Sequence, residues 1–151
     1  MKSLKSYIQE KLIIKKSNNN YKYFPKTKEE LKDIIVNRIK AEGNKVDLND
    51  IDVSEITNMS YLFERTDFNG DISSWDVSNV TDMQCMFYKC SKFNQDISSW
   101  DVSNVTNMHA MFRDCKSFNQ DISNWDVSKV TNNYKMFDDC PIEEKYKPKF
   151  K

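Results

Sequence analysis

The residues with chemistry in reach are few, and most recur at one fixed spacing. Cys90, Cys115 and Cys140 stand 25 residues apart. A zinc site needs four converging ligands, and one cysteine per unit makes a line rather than a tetrahedron. No metal is expected there, and the three thiols read as small buried side chains. Cys85 falls outside the column and is expected to be the exposed thiol. His109 is the single histidine, so a Cys-His or Ser-His-Asp set has one possible member. Its equivalents in the neighbouring units, Gln84 and Tyr134, suit a solvated face. Aspartates stack as well, in the columns Asp71, Asp96, Asp121 and Asp76, Asp101, Asp126. Calcium would need several oxygens converging on one point, and the Gly-rich calcium-repeat pattern is missing. Capping of turns by these carboxylates is the expected role. No catalytic residue, no cofactor and no enzymatic activity are expected.

The same spacing runs through the apolar residues. Phe68, Phe93 and Phe118; Ile72, Ile97 and Ile122; Trp75, Trp100 and Trp125; Val80, Val105 and Val130; and Phe87, Phe112 and Phe137 all recur every 25 residues. The tryptophans have two readings: an aromatic stripe for carbohydrate or peptide, or a core column. The adjoining Ile and Val columns favour core, where indole fills a narrow interior. Self-similarity of this length implies a solenoid whose units bury their apolar faces against one another.

Bulk properties set limits on the rest. The 23 basic and 23 acidic residues balance, so no general polyanion-binding surface, and no nucleic-acid partner, is expected. With 2 Gly and 3 Pro, turns must be made by Asn, Asp and Ser. No segment approaches the ~20 apolar residues that cross a bilayer. The opening MKSLKSYIQEKLIIKK lacks the apolar core of a secretory signal, which favours a cytoplasmic or virion-associated location over the cell surface. In such a compartment the cysteines are expected to be reduced.

Four segments position these columns. Residues 1–20 form an amphipathic peptide and linker, with Leu4, Ile8 and Leu12 at helical spacing. It is either a terminal helix packed on the domain or a docking peptide whose binding residues are those three. Residues 21–45 form a helical N-terminal cap. Thr27 and Glu30 make a T-x-x-E capping box, Leu31, Ile34, Ile35 and Ile39 line one face, and Gly43 terminates it. Residues 46–140 carry about four coils, the first degenerate and aligned with the next at a 24-residue offset. Residues 141–151 close the end, with Tyr146 and Phe150 covering the last coil. Within a coil, a strand is expected around 96–100 and a short helix from Thr106, presenting Met108, Met111, Phe112 and Cys115 on one face. The fold class is thus an α/β repeat, a leucine-rich-repeat-like solenoid of strand-plus-short-helix coils.

The motif FNQDISSWDVSNVTNMHAMF resembles the BspA-like leucine-rich-repeat surface proteins, in the variant with the FN-x-DIS-x-WDVS-x-VT-x-M-x-x-MF repeat. The resemblance covers roughly residues 46–140. It implies a binding or adhesion role on bacterial surfaces, directed at a protein or glycan through the solenoid surface, with no catalytic residues to carry over. The N-terminal peptide resembles the short amphipathic leaders of some tailed-phage proteins, which implies a structural or packaged virion protein docked through it. Bare solenoid ends would also permit self-association.

Overall fold

The computed structural model describes residues 3–6 and 20–151. Ile8 and Leu12 lie outside the described residues, while Leu4 is exposed. Helix α1 spans Lys28–Glu42. Thr27 Oγ1 accepts from the Glu30 amide at 3.2 Å, and the Glu30 carboxylate reaches back to the Lys26 amide at 2.8 Å. One orphan donor of the first turn is satisfied in this way, and the residue before the cap is tied back to the helix. The helix ends at Gly43, whose φ of 93° suits a residue without Cβ and whose amide donates to Ile39 O. Leu31 and Ile35 are buried against the first coil. Arg38 clamps the helix to that coil: its Nη1 donates to both Asp50 oxygens, at 2.9 and 3.1 Å, and its guanidinium lies over Tyr23.

After the helix the chain departs from the expected α/β repeat. Among the described residues beyond α1 there is no further α-helix and no sheet. A 3-10 turn, Glu144–Tyr146, is the remaining helical element. Among the described residues parallel pairing is confined to isolated bridges, Tyr23 with Ile51, Asn58 with Asp82, Asp82 with Asn107, and Asn107 with Asn132. The strand expected at 96–100 and the helix expected at 108–115 are both irregular backbone. A leucine-rich-repeat-like solenoid of strand-plus-helix coils is therefore not formed.

The cause is visible in the backbone of 108–115. An α-helix would require uniform right-handed φ, yet Ala110 and Asp114 have φ of 50° and 60°. Their counterparts Tyr61 and Arg65, Cys85 and Lys89, and Lys135 and Asp139 are left-handed too. None is a glycine, so each conformation must be imposed by its surroundings. Hydrogen bonding to the next coil imposes it. Met108, Ala110, Phe112 and Asp114 donate to the carbonyls of Asn132, Tyr134, Met136 and Asp138, at 2.8–2.9 Å. The residues between them, Met111, Arg113 and Cys115, close local turns onto carbonyls three residues back. Alternate amides thus leave the coil and alternate amides stay in it. Inter-coil bonding takes the donors that a helix would have kept.

The same ladder joins the first coil to the second, from Met59, Tyr61, Phe63 and Arg65 to Asp82, Gln84, Met86 and Tyr88. It joins the second to the third from Met83, Cys85, Phe87 and Lys89. On another side, the Thr81, Thr106 and Thr131 amides each donate to the threonine carbonyl of the preceding coil at 2.8 Å. Asn94 and Asn119 donate to the Asn Oδ1 one coil back at 2.9 and 3.0 Å. Between these ladders the corners are Asx turns. Asp71, Asp96, Asp101 and Asp121 each accept on Oδ1 from both the amide and the hydroxyl of the serine two residues on.

The interior is a set of stacked rings. Phe63, Phe87, Phe112 and Phe137 lie 5.5, 5.4 and 5.8 Å apart. Phe68, Phe93 and Phe118 lie 6.3 and 5.9 Å apart. Trp75, Trp100 and Trp125 lie 6.4 and 6.5 Å apart, with planes within 5° of parallel. The indole Nε1 groups donate to carbonyls of the preceding coil: Leu48, Ile72 and Ile97. Ile72, Ile97, Ile122, Val80, Val105, Cys90 and Cys115 are fully buried. Val130, Phe137 and Cys140, in the last coil, are only half-buried. Thr66 occupies the first-coil place of the cysteine column, its hydroxyl 3.5 Å from Cys90 Sγ.

Candidate functional site

The left-handed ladder also fixes which side chains face out. Core columns hold one residue type from coil to coil, whereas the outward positions of the ladder change. Gln84, His109 and Tyr134 form one outward column, and Tyr61 and Lys135 flank it, while Ser60, Cys85 and Ala110 at the matching places are buried. The outcome is a continuous polar-aromatic stripe. Tyr61 and Tyr134 mark its ends and are 42% and 62% exposed. Between them, Gln84 Nε2 donates to Tyr61 Oη at 2.9 Å, and Asn107 Nδ2 donates to Gln84 Oε1 at 3.2 Å. The His109 ring stacks on Tyr134 at 5.8 Å. His109 is thus half-buried in a ring contact.

A cationic cluster adjoins the stripe. The guanidinium carbons of Arg65 and Arg113 lie 5.5 and 5.7 Å from the Tyr88 ring centre, and Lys89 Nζ lies 5.3 Å from it. Such contacts orient the long cations against an aromatic face. Arg113 Nε is buried without a hydrogen-bond partner and lies 3.8 Å from Asp114 Oδ2. The ladder backbone holds all of these groups in register, so the stripe is presented on a rigid support.

The thiols are withdrawn from chemistry. Cys90, Cys115 and Cys140 donate to the carbonyls of Phe68, Phe87 and Phe118, at 3.4, 2.8 and 3.5 Å. Burial pushes the Cys90 thiol up to about 11 and raises Cys115 and Cys140 as well. Cys85, expected to be exposed, is buried: its left-handed backbone turns it beneath Tyr61, and burial raises its pKa too. The aspartate columns are engaged in their own turns. Among the described residues no group of three or more His, Cys, Asp or Glu side chains converges as a metal site would require. Nor is any described helix long and apolar enough to cross a membrane.

The tryptophans, read from sequence as either a ligand stripe or a core column, are 4–5% exposed. The stripe that does face out was missed. Its signal was present as variation: the only column pairing Tyr, His and Gln is one whose identity changes at every coil.

A family model described as "Mycoplasma protein of unknown function, DUF285" matches residues 30–148. The chain belongs to this family. The DUF285 match runs from the first turn of α1 through every coil to Pro148, so the cap and the repeats form one family unit. It is consistent with the resemblance to BspA-like repeats. It begins beyond the N-terminal peptide, and nothing supports the resemblance of that peptide to phage leaders. Neither a curated protein nor a solved structure matches the chain.

Proposed function

We propose that this DUF285 chain is a non-enzymatic binding module that engages a protein partner through the stripe running from Tyr61 to Tyr134. The observation that carries this reading is the ladder itself, which aligns Tyr61, Gln84, His109 and Tyr134 beside Arg65, Tyr88 and Arg113 on a stiff backbone. Tyrosine and arginine are the residues that most often anchor protein interfaces, and a pre-ordered surface loses little entropy on binding. A non-catalytic role is supported by the same geometry: the lone histidine is stacked, three of the four thiols are buried, and the aspartate columns hold turns. The likeness to surface-displayed repeats supports adhesion as the context of that binding.

The test is site-specific photo-crosslinking in producing cells. A photoreactive phenylalanine analogue replaces Tyr134 in one strain and Asn124, on a different side of the coil, in another. A discrete protein adduct from position 134, absent at 124 and lost on Tyr61→Ala plus His109→Ala, is the expected result. Equal adduct patterns at both positions would remove the stripe from consideration.

A further inference from the structure

The later coils receive ladder amides from the coil before them, and the first coil receives something else. Tyr61 and Phe63 donate to Gln84 O and Met86 O. The matching carbonyls of the first coil belong to Ser60 and Leu62, and α1 lies against that ridge. Lys32 Nζ donates to Leu62 O, and Lys28 Nζ donates to Ser60 Oγ at 3.1 Å. Two lysines four residues apart, and so on one face of the helix, stand where backbone amides stand elsewhere.

The exchange brings charge to a place where the ladder needs none. A backbone amide is neutral and has one donor, whereas an ammonium carries a full charge and three donors. Each lysine spends one donor on a neutral oxygen, and among the described residues neither forms an ion pair. Both side chains are half-buried, and burial lowers the Lys32 pKa. Glu64 opposes that shift, yet its carboxylate is shared with Arg65 at 3.5 Å. A partly desolvated ammonium without a counter-ion is costly, and a carboxylate brought beside it offsets the cost.

The space for that carboxylate is present. Lys28 and Lys32, with Ser60, Tyr61 and Leu62, line a cavity of about 290 Å³ between α1 and the first coil. Ligand pockets run ~300–1,000 Å³, so this one suits a single side chain. Glu29 and Asp33 also line it and are exposed. Their charge opposes a doubly charged phosphoryl group more strongly than a singly charged carboxylate. Tyr61 belongs both to this cavity and to the stripe, where its hydroxyl accepts from Gln84 Nε2 at 2.9 Å.

We infer that this cavity is the anchor subsite at the end of the stripe, where Lys28 and Lys32 hold the side-chain carboxylate of an Asp or Glu of the partner protein. The inference rests on the protein-binding reading above and assigns the chemistry of one residue in the partner. The carboxylate accepts from the spare N–H donors of both ammonium groups. Lys32 keeps its bond to Leu62 O, so the cap of the first coil is undisturbed.

The test follows the lysine side chains of the full chain, isotopically labelled at Cε, by NMR. The probes are N-acetyl-glutamate N-methylamide, its neutral isostere N-acetyl-glutamine N-methylamide, and N-acetyl-alanine, which carries a terminal carboxylate alone. Saturable shifts of the Lys28 and Lys32 signals with the glutamate probe alone are the expected result. Lys28→Gln plus Lys32→Gln is expected to weaken that probe about tenfold, the scale of a lost charge-assisted hydrogen bond. Glu29→Gln plus Asp33→Asn is expected to tighten it. An unchanged Trp100 Nε1 signal is the control for folding, and the titration of the unsubstituted chain decides the point even where a variant unfolds. No saturable shift, equal shifts with the glutamine probe, or preference for N-acetyl-alanine overturns the inference. In producing cells, an adduct from position 134 that survives Lys28→Gln plus Lys32→Gln undiminished overturns the anchor while leaving the stripe standing. Failure of the unsubstituted chain to give any adduct at position 134 sinks the stripe reading instead, without bearing on the titration.

Discussion

Replacing Trp100 tests the stacked interior at its centre. Trp100 is 4% exposed and lies between Trp75 and Trp125, with Phe87 at 6.4 Å. Its Nε1 donates to Ile72 O at 3.1 Å. Trp100→Ala removes the side chain from a closed interior, a change that costs ~3–5 kcal/mol in cores that cannot collapse. The interior here cannot collapse easily, because the ladder and threonine bonds hold the coil spacing on either side. Ile72 O would also lose its donor, a penalty of ~1–3 kcal/mol when the group stays dry. These contributions overlap, so the upper part of the range, ~4–5 kcal/mol, is expected. Domains of this size have ~5–15 kcal/mol in total, so the alanine variant is expected to shorten or remove the folded baseline. Trp100→Phe keeps a ring in the stack and removes mainly the indole donor, for an expected ~1–2 kcal/mol. Urea titration followed by circular dichroism, at matched slopes, reads both differences. A cost within ~0.5 kcal/mol for Trp100→Ala would refute the buried stack. Equal costs for Phe and Ala would refute the assignment of most of the energy to ring packing.

Two further outcomes follow from particular contacts. A Cβ built on Gly70 would lie 2.0 Å from Val46 O, a backbone atom that cannot swing aside; Gly70→Ala should therefore destabilise the chain by ~1–3 kcal/mol, measured by the same titration, although glutamine fills the equivalent places at 95 and 120. The carboxyls of Asp71, Asp96, Asp101, Asp121 and Asp126 are held below their usual range, for Asp71 chiefly by the Ser73 amide and for the others chiefly by the hydroxyl of the serine two residues on. A depressed folded value means that stability is present above the unfolded carboxylate value of ~4 and is lost as pH falls through the folded values. The midpoint of thermal unfolding should thus hold steady from neutral pH to ~5 and fall below ~4, and Asp96→Asn plus Asp101→Asn should flatten that fall; an unchanged acid profile would refute the turn assignment.

How much was legible in the sequence depended on which physical period a residue obeyed. The columns Phe68, Trp75 and Ile72, with their repeats, were visible because stacking forces one residue type at each core position, and they are buried together. Helix α1 was visible because its signals are local: Thr27 and Glu30 at the start, Gly43 at the stop, and Leu31 and Ile35 on the inner face. The interior of each coil misled, because Met108, Met111, Phe112 and Cys115 have the i, i+3, i+4, i+7 pattern of a helical face without forming one. That pattern says only that these four side chains point inward. In a helix each amide beyond the first turn donates within the segment; here Met108, Ala110, Phe112 and Asp114 donate outside it. A neighbouring coil 24 residues away in sequence decides the conformation, and no window of ten residues contains it.

The same reasoning explains why the outward stripe was hard to find and why it is the better place to look for function. A repeat is detected by what stays constant, and constancy in this chain marks the positions that stacking dictates. Tyr61, Gln84, His109 and Tyr134 are free of that constraint, since their side chains leave the ladder rather than enter the core. Their backbone is nevertheless the most tightly specified part of the coil, with left-handed residues at every repeat. A surface whose side chains vary while its backbone is fixed can change specificity without changing fold.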